Sequence, residues 1–264
     1  MWVRLPPHPL TLMPGHQLPD IDFAWSPNLA YAIGLIATDG CLSTDGRHIV
    51  MRSTDMQLLK TFKKCLNISN KICYTPDVRN DGYKKKRAYR IQTSKVQLYR
   101  WLLKIGLSPA KTYTINTLSI PDEYFRDFLR GHLDGDGSVW GYTDRYNIFK
   151  NPKYIYTRVW LRFISASEAH IRWLGSTIFK LMGTKGHIWN VKKLRTNNVS
   201  MWQLKFGKKE SIMLLDWMYY SPDVPCLNRK RKKAEKLLTL EHKSSLNFSQ
   251  HGAGRPRILY NAST

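Results

Sequence analysis

An internal repeat constrains this chain more than any other feature. The first copy opens with SPNLAYAIGLIATDG at Ser26, and the second with PDEYFRDFLRGHLDGDG at Pro121. In both, a proline stands where a helix should start. Its fixed φ suits the first helical position, and its missing N–H is not needed there. Ser26 is positioned to cap the first helix with its hydroxyl. Both helices close on an Asp-Gly pair, Asp39-Gly40 and Asp136-Gly137, in which the glycine reads as a left-handed stop. Asp55 follows Asp39 by 16 positions and Glu168 follows Asp136 by 32, so the second copy carries an insertion in its first hairpin, over residues 138–160. Beyond it, Asp55 to Ile91 and Glu168 to Leu204 both span 36 positions, which reads as a shared register without a gap. The chain divides into a first repeat over 26–120 and a second over 121–242. A Pro-rich arm (1–25) and a basic tail expected to be flexible (243–264) flank them.

Each copy reads helix, hairpin, helix, hairpin, helix, an α+β pattern. Asp45-Gly46, Asn80-Asp81-Gly82 and Asn197-Asn198 are the turn signals. In YIYTRVWLRFIS, Ile155, Val159, Leu161 and Phe163 fall on one face and Tyr156, Arg158, Trp160 and Arg162 on the other. In MWQLKFG, Trp202, Leu204 and Phe206 point inward, Gln203 and Lys205 outward. In the first copy, Ile49 and Met51 oppose Arg52, and Ile91 opposes Arg90 and Gln92. The outward sets are cations, amides and aromatics, where a solvent-facing sheet would mix charges. The whole chain agrees, with 42 Lys and Arg against 19 Asp and Glu, a net charge of +23 that is not confined to a tail. Such a field calls for a polyanionic partner. Nucleic acid is favoured over membrane, because no lipidation motif or strongly amphipathic basic helix accompanies the charge, and no apolar run reaches the roughly 18 residues of a span. Prolines break the N-terminus before any signal-peptide core, so the protein is expected inside the cell. Cys41, Cys65, Cys73 and Cys226 form no CxxC pair and read as reduced thiols. Arg and Gln read guanine and adenine edges, and a β-ribbon fits the major groove. Arg52, Arg90, Gln92, Tyr156, Arg158, Arg162, Gln203 and Lys205 are therefore the candidate DNA-contacting residues.

The stretches AIGLIATDG (32–40) and LRGHLDGDG (129–137) resemble the two LAGLIDADG motifs of single-chain homing endonucleases, and the linking GLSPAKTYTINTLSIPDEYFRDFLRGHLDGDGSVWGY is similar to that family as well. The resemblance covers residues 26–242. It implies a tandem pseudo-twofold repeat of αββαββα units whose two antiparallel sheets form a DNA-binding saddle, with the motif helices side by side. The residues support that helix contact independently. Gly34 and Gly131 each lie five positions before the terminal Asp, and with Ala30 and Ala37 they form a small-residue stripe that lets backbones approach. The approach brings Asp39 and Asp136 together, although an anion at a helix C-terminus opposes the dipole. Two carboxylates at close range also repel, a conflict that a divalent cation removes. The resemblance implies Mg²⁺ held by Asp39 and Asp136, helped by the carbonyls of Thr38 and Gly135. It further implies that each strand of a duplex is cut once across the minor groove, leaving short 3′ overhangs. Lys111 and Lys230 best match the basic residues that the family sets beside each metal; a phosphate-contacting surface lysine is the alternative, with Arg229 and Lys232 close by. The first motif departs from the pattern at Ala37, where the family usually has an Asp that the second motif keeps as Asp134. Ala37 reads as a packing change.

The expected activity is site-specific cutting of double-stranded DNA at a long target by a free-standing monomer, encoded within an intron, with intron RNA as a further candidate partner. The alternative is a non-cleaving binder, either an intron RNA maturase or a LAGLIDADG-derived regulator. Retention of both terminal acids argues against pure binding, and no helix-turn-helix follows the second repeat. No splicing Cys or Ser opens the sequence and no His-Asn pair closes it, against an intein-borne nuclease. Gly254-Arg255-Pro256 matches the core of minor-groove AT-hook arms, a three-residue signal on the tail.

Overall fold

The computed structural model describes residues 23–75, 87–152, 155–191 and 201–249, with side chains through Thr239. The first repeat runs α1 (Pro27–Thr38), β1 (Gly40–Leu42), β2 (Ile49–Ser53), α2 (Met56–Cys65), β3 (Cys73–Thr75), β4 (Ala88–Thr93) and α3 (Val96–Lys104). A 3-10 turn over Asp122–Tyr124 then feeds α4 (Phe125–Gly135), β5 (Ser138–Asp144), β6 (Tyr156–Ser165), α5 (Glu168–Met182), β7 (His187–Val191), β8 (Met201–Phe206) and α6 (Lys208–Met218). The final helix, α7, spans Asn228–Ser249. The αββαββα unit thus occurs twice. Each copy forms a four-stranded antiparallel sheet, in the order β1-β2-β4-β3 and β5-β6-β8-β7. The expected α+β tandem repeat is what the chain adopts.

Local chemistry explains the elements. Ser26 accepts the Leu29 N–H through its hydroxyl at 3.2 Å and Pro27 opens α1, while Asp55 and Ser167 cap α2 and α5 in the same way. In the first hairpin, Gly46 adopts φ +77° and Asp45 accepts the N–H groups of Arg47 and His48, both at 3.1 Å. Inward strand positions alternate as expected: Ile49, Met51, Ile91, Val159, Leu161, Phe163, Leu204 and Phe206 are all buried. They join one core with helix residues such as Leu59, Phe62, Leu102, Leu174, Ile178 and Leu215. Helix α1 is apolar all round, with Leu29 through Ala37 buried, as a central helix must be.

Several expectations need correction. Gly40 and Gly137 are not left-handed stops: Asp39 and Asp136 end their helices at φ −86° and −90°, and among the described residues the left-handed glycines are Gly46, Gly106 and Gly183. Glycine is required for another reason. The chain turns back so tightly that a Cβ would lie 2.6 Å from Ile36 Cα at Gly40 and 2.7 Å from Leu133 Cα at Gly137. The equal spacing of the repeats is coincidental. The equivalents are Asp55 and Ser167, since both cap a helix and both donate their N–H to a preceding serine hydroxyl, Ser53 or Ser165. From these, Ile91 lies 36 positions on and Leu204 lies 37, because α5 is longer than α2 and the connections differ. Ile155 is 48% exposed, because it precedes β6; Thr157 takes the next inward place. Helix α7 continues to Ser249, past the boundary expected at 242. Asn80-Asp81-Gly82, Asn197-Asn198, Gly254-Arg255-Pro256 and most of the N-terminal arm lie outside the described residues. No helix of the described residues is long and apolar enough to cross a membrane.

Candidate active site and nucleic-acid interface

Helices α1 and α4 touch backbone to backbone. A Cβ on Gly34 would lie 2.1 Å from the Phe128 carbonyl oxygen, and one on Gly131 would lie 2.1 Å from that of Tyr31. The contact continues to the helix tips, where a Cβ on Gly135 would meet Thr38 Oγ1 at 1.9 Å. Asp39 and Asp136 follow directly, so both carboxylates stand at one place. Burial raises the Asp39 pKa to about 6, the Asp136 charge adds to the effect, and Lys230 and Lys111 oppose it. Asp136 reaches solvent yet is raised as well, by the protein crowded around it, against the same two lysines. Among the described residues, neither carboxylate accepts a hydrogen bond or forms an ion pair with a side chain. Two unpartnered acids that resist joint ionisation are a donor set that fits a divalent cation.

The lysines flank these acids. Lys111 and Lys230 are 7% and 8% exposed, so neither is the surface lysine of the alternative reading. Lys111 Nζ donates to the Gly40 carbonyl. Lys230 Nζ contacts the carbonyls of Leu133, Asp134, Gly135 and Gly137 at 2.6, 2.8, 3.1 and 2.7 Å, closing the C-terminus of α4. Gly40 and Gly137 are repeat equivalents, and so are the two lysines. Burial lowers the pKa of both, that of Lys230 to about 8. The Thr38 hydroxyl bonds back to Gly34 and Leu35 within its own helix.

Two buried features escaped the sequence reading. Asp134 accepts Tyr31 Oη–H at 2.8 Å and the Leu227 N–H at 2.6 Å, tying α4 to α1 and to the start of α7, and so placing Lys230. Tyr31 and Phe128 stand at the same position before Gly40 and Gly137, as do Ala37 and Asp134. The first repeat therefore has no acid where the other helix has no hydroxyl to meet it. Arg130, wholly buried, donates to Pro225 O at 2.8 Å, Met218 O at 2.6 Å and Asp127 Oδ1 at 2.5 Å, fixing the α6–α7 connection. Charge alone gave no signal for it, because an arginine in a basic chain reads as surface.

The outward sheet faces carry the expected polar residues. Arg52, Arg90, Tyr156, Arg158 and Arg162 are exposed; Gln92, Gln203 and Lys205 are half-buried. Arg52 stands directly opposite Arg90, and Arg162 opposite Lys205. Like charges so paired destabilise a sheet, and an anionic ligand relieves them. Arg158 is engaged by Asp144 at 3.1 Å. Trp140, Tyr142 and Trp189 share the second face and were missed. The parity of SVWGYTD places the first two outward, but HIWNV is too short and irregular to orient Trp189.

No family model matches the sequence, and no curated protein does. Solved structures do match. The LAGLIDADG meganuclease I-AabMI bound to uncleaved DNA superposes with a TM-score of 0.55 at 13% identity, over 83% of this chain and 92% of that one. The I-LtrWI LAGLIDADG homing endonuclease bound to target DNA gives 0.50 at 12%, over 84% and 92%. Full-length DUF199/WhiA from Thermatoga maritima gives 0.47 at 17%, over 88% and 68%. At such identities the likeness is one of architecture: the chain has the LAGLIDADG fold.

Proposed function

We propose that this chain is a LAGLIDADG-family, site-specific double-strand DNA endonuclease, acting as a monomer inside the cell on a long target. The observation that carries the reading is the pair of unpartnered carboxylates, Asp39 and Asp136, at touching helix tips between two buried lysines. A structural role gives no reason to hold two acids together where the helix dipoles oppose both. In this reading the two sheets form a saddle on the duplex, with the paired cations on its phosphates and groove edges. Asp39 and Asp136 would hold divalent cations, Mg²⁺ foremost, with the Thr38 carbonyl as a further oxygen donor, whereas the Gly135 carbonyl already accepts from Lys230 Nζ at 3.1 Å. Such ions, when bound, ease deprotonation of water and stabilise charge on phosphate oxygens. Lys230 serves as a fixed positive charge rather than a proton carrier, because its ammonium is committed to backbone carbonyls, and Lys111 sets a second positive charge at the Gly40 carbonyl. Cutting at the centre of the saddle would cross the minor groove and leave 3′ overhangs.

Incubation with a randomised-site duplex library and Mg²⁺ tests the reading. The native chain is expected to cut both strands at one long site, and Asp39→Asn and Asp136→Asn to bind that site without double-strand cutting. Cutting by either variant at the native rate would reject the site. Specific binding by the native chain with no cutting would make it a non-cleaving binder.

A further inference from the structure

The outward face of the second sheet holds a recess of about 450 Å³ that the proposed cleavage centre does not use, lined by Ser138, Trp140, Trp160, Arg162, Trp189 and Lys205. Strand pairing sets its plan. Ser138, Arg162, Lys205 and His187 stand opposite one another across β5, β6, β8 and β7, forming a polar row with two cations at its centre. One step along the face on one side, Trp140 pairs with Trp160; one step on the other, Gln203 pairs with Trp189. The floor is charged and the walls are aromatic. Trp140 stacks on Trp160 with centroids 5.1 Å apart and planes at 24°, yet is still 52% exposed. Trp189 stacks on His187 at 5.6 Å. Lys205 Nζ lies 4.6 Å from the Trp160 ring, and Arg162 is held by Ser138 Oγ at 3.2 Å and Gln203 Oε1 at 3.3 Å. Among the described residues, no carboxylate lines the recess.

Trp140, half open on a basic surface beside two part-buried tryptophans, is an aromatic platform of the kind that marks a ligand surface. A paired base shows a groove-binding protein only its edge, because its two faces are stacked inside the duplex. An unpaired base offers its faces, and aromatic platforms beside cations are how proteins hold such bases. We propose that this recess binds an unpaired nucleobase of a nucleic-acid strand, stacked on the tryptophan walls, with its phosphate on Arg162 and Lys205. The inference rests on the reading of the sheet faces as nucleic-acid surfaces and makes it asymmetric. At the matching positions the first sheet has Ser43, His48 and Cys73 as walls and Val50 and Gln92 as floor, so it offers no such platform.

Photo-crosslinking of the full chain tests this, with single-stranded DNA and RNA of about 12 nucleotides carrying one 5-iodouracil, beside the same DNA strand annealed to its complement. Adducts mapped by mass spectrometry are expected on Trp140, Trp160 or Trp189 from a single strand, and only weakly from the duplex. Adducts from DNA alone or RNA alone identify the source, and either supports the proposal. Trp140→Ala and Trp189→Ala, with folding checked by circular dichroism, are each expected to weaken single-strand binding about tenfold. Equal adducts from the duplex, or adducts only elsewhere, would overturn it. Duplex binding with these tryptophans silent would overturn this inference alone, and binding of neither ligand would overturn the saddle reading with it.

Discussion

The two repeats share strand order, pairing and buried inward positions, but they differ on the surfaces that face away from their common core. Where the first sheet turns Ser43, His48 and Val50 outward, the second turns Trp140, Trp160 and Arg162. Between α1 and α4 the contrast is sharper: Gly34 and Gly131 occupy equivalent places with equal closeness, whereas Asp134 and Tyr31 have as counterparts Ala37 and Phe128. Gly34 and Gly131 are the same in both halves because a side chain on either would collide with backbone; at the tips Gly135 alone yields, to its own counterpart Thr38. Positions that meet a ligand, or that anchor only one half, are free to diverge. The difference marks where each half has a separate task.

The strongest way to break the symmetric part is to fill it. Gly34→Val and Gly131→Val should be equally damaging, each by about 4 kcal/mol or more, because the obstructing atom is a rigid backbone carbonyl in both cases. Urea unfolding measures this, and a mild effect at one site would show that the helices can separate. The asymmetric anchor comes next. Asp134→Ala leaves the Tyr31 hydroxyl and the Leu227 N–H without a partner and should cost about 2–4 kcal/mol. The reverse change, Ala37→Asp, should be tolerated better together with Phe128→Tyr than alone, and a double-mutant cycle with no coupling would refute the equivalence. The lysines should differ similarly: Lys230→Met should cost about 2 kcal/mol and Lys111→Met about 1, since the three N–H groups of one ammonium are shared among four carbonyls and the other ammonium meets a single one. Equal melting shifts would contradict this. The last effect is a gain. Asp39 has a folded-state pKa raised to about 6, so it favours folding in acid; the penalty for ionising it is absent below its ordinary value and complete above about 6. Asp39→Asn should therefore stabilise the metal-free protein by about 1–2 kcal/mol at pH 8, after allowance for solvent screening, and by almost nothing at about pH 3. A gain of the same size at both pH values would exclude charge repulsion as its cause.

Much of the fold was legible because it rests on local rules. Ser26-Pro27, Asp45-Gly46 and the alternation through Val159, Leu161 and Phe163 act within a few residues, and each formed as expected. The glycine stripe also gave the helix contact. What escaped depended on partners distant in sequence. Asp134 meets Tyr31 across 103 positions, and Lys230 reaches back 97 to Leu133. A residue count could not reveal that a longer α5 and different connections nearly cancel in the register, nor that Gly40 is needed for clearance rather than for φ. Ile155 followed the correct parity, but parity says nothing about where a strand begins.

Helix α1 has no side turned to water. One flank is covered by its own sheet and helices and the other by α4, so each half supplies the other's interior. A duplication that reaches this state becomes one-way: the outer faces can drift apart in pursuit of separate ligands, while the halves can no longer part company and survive.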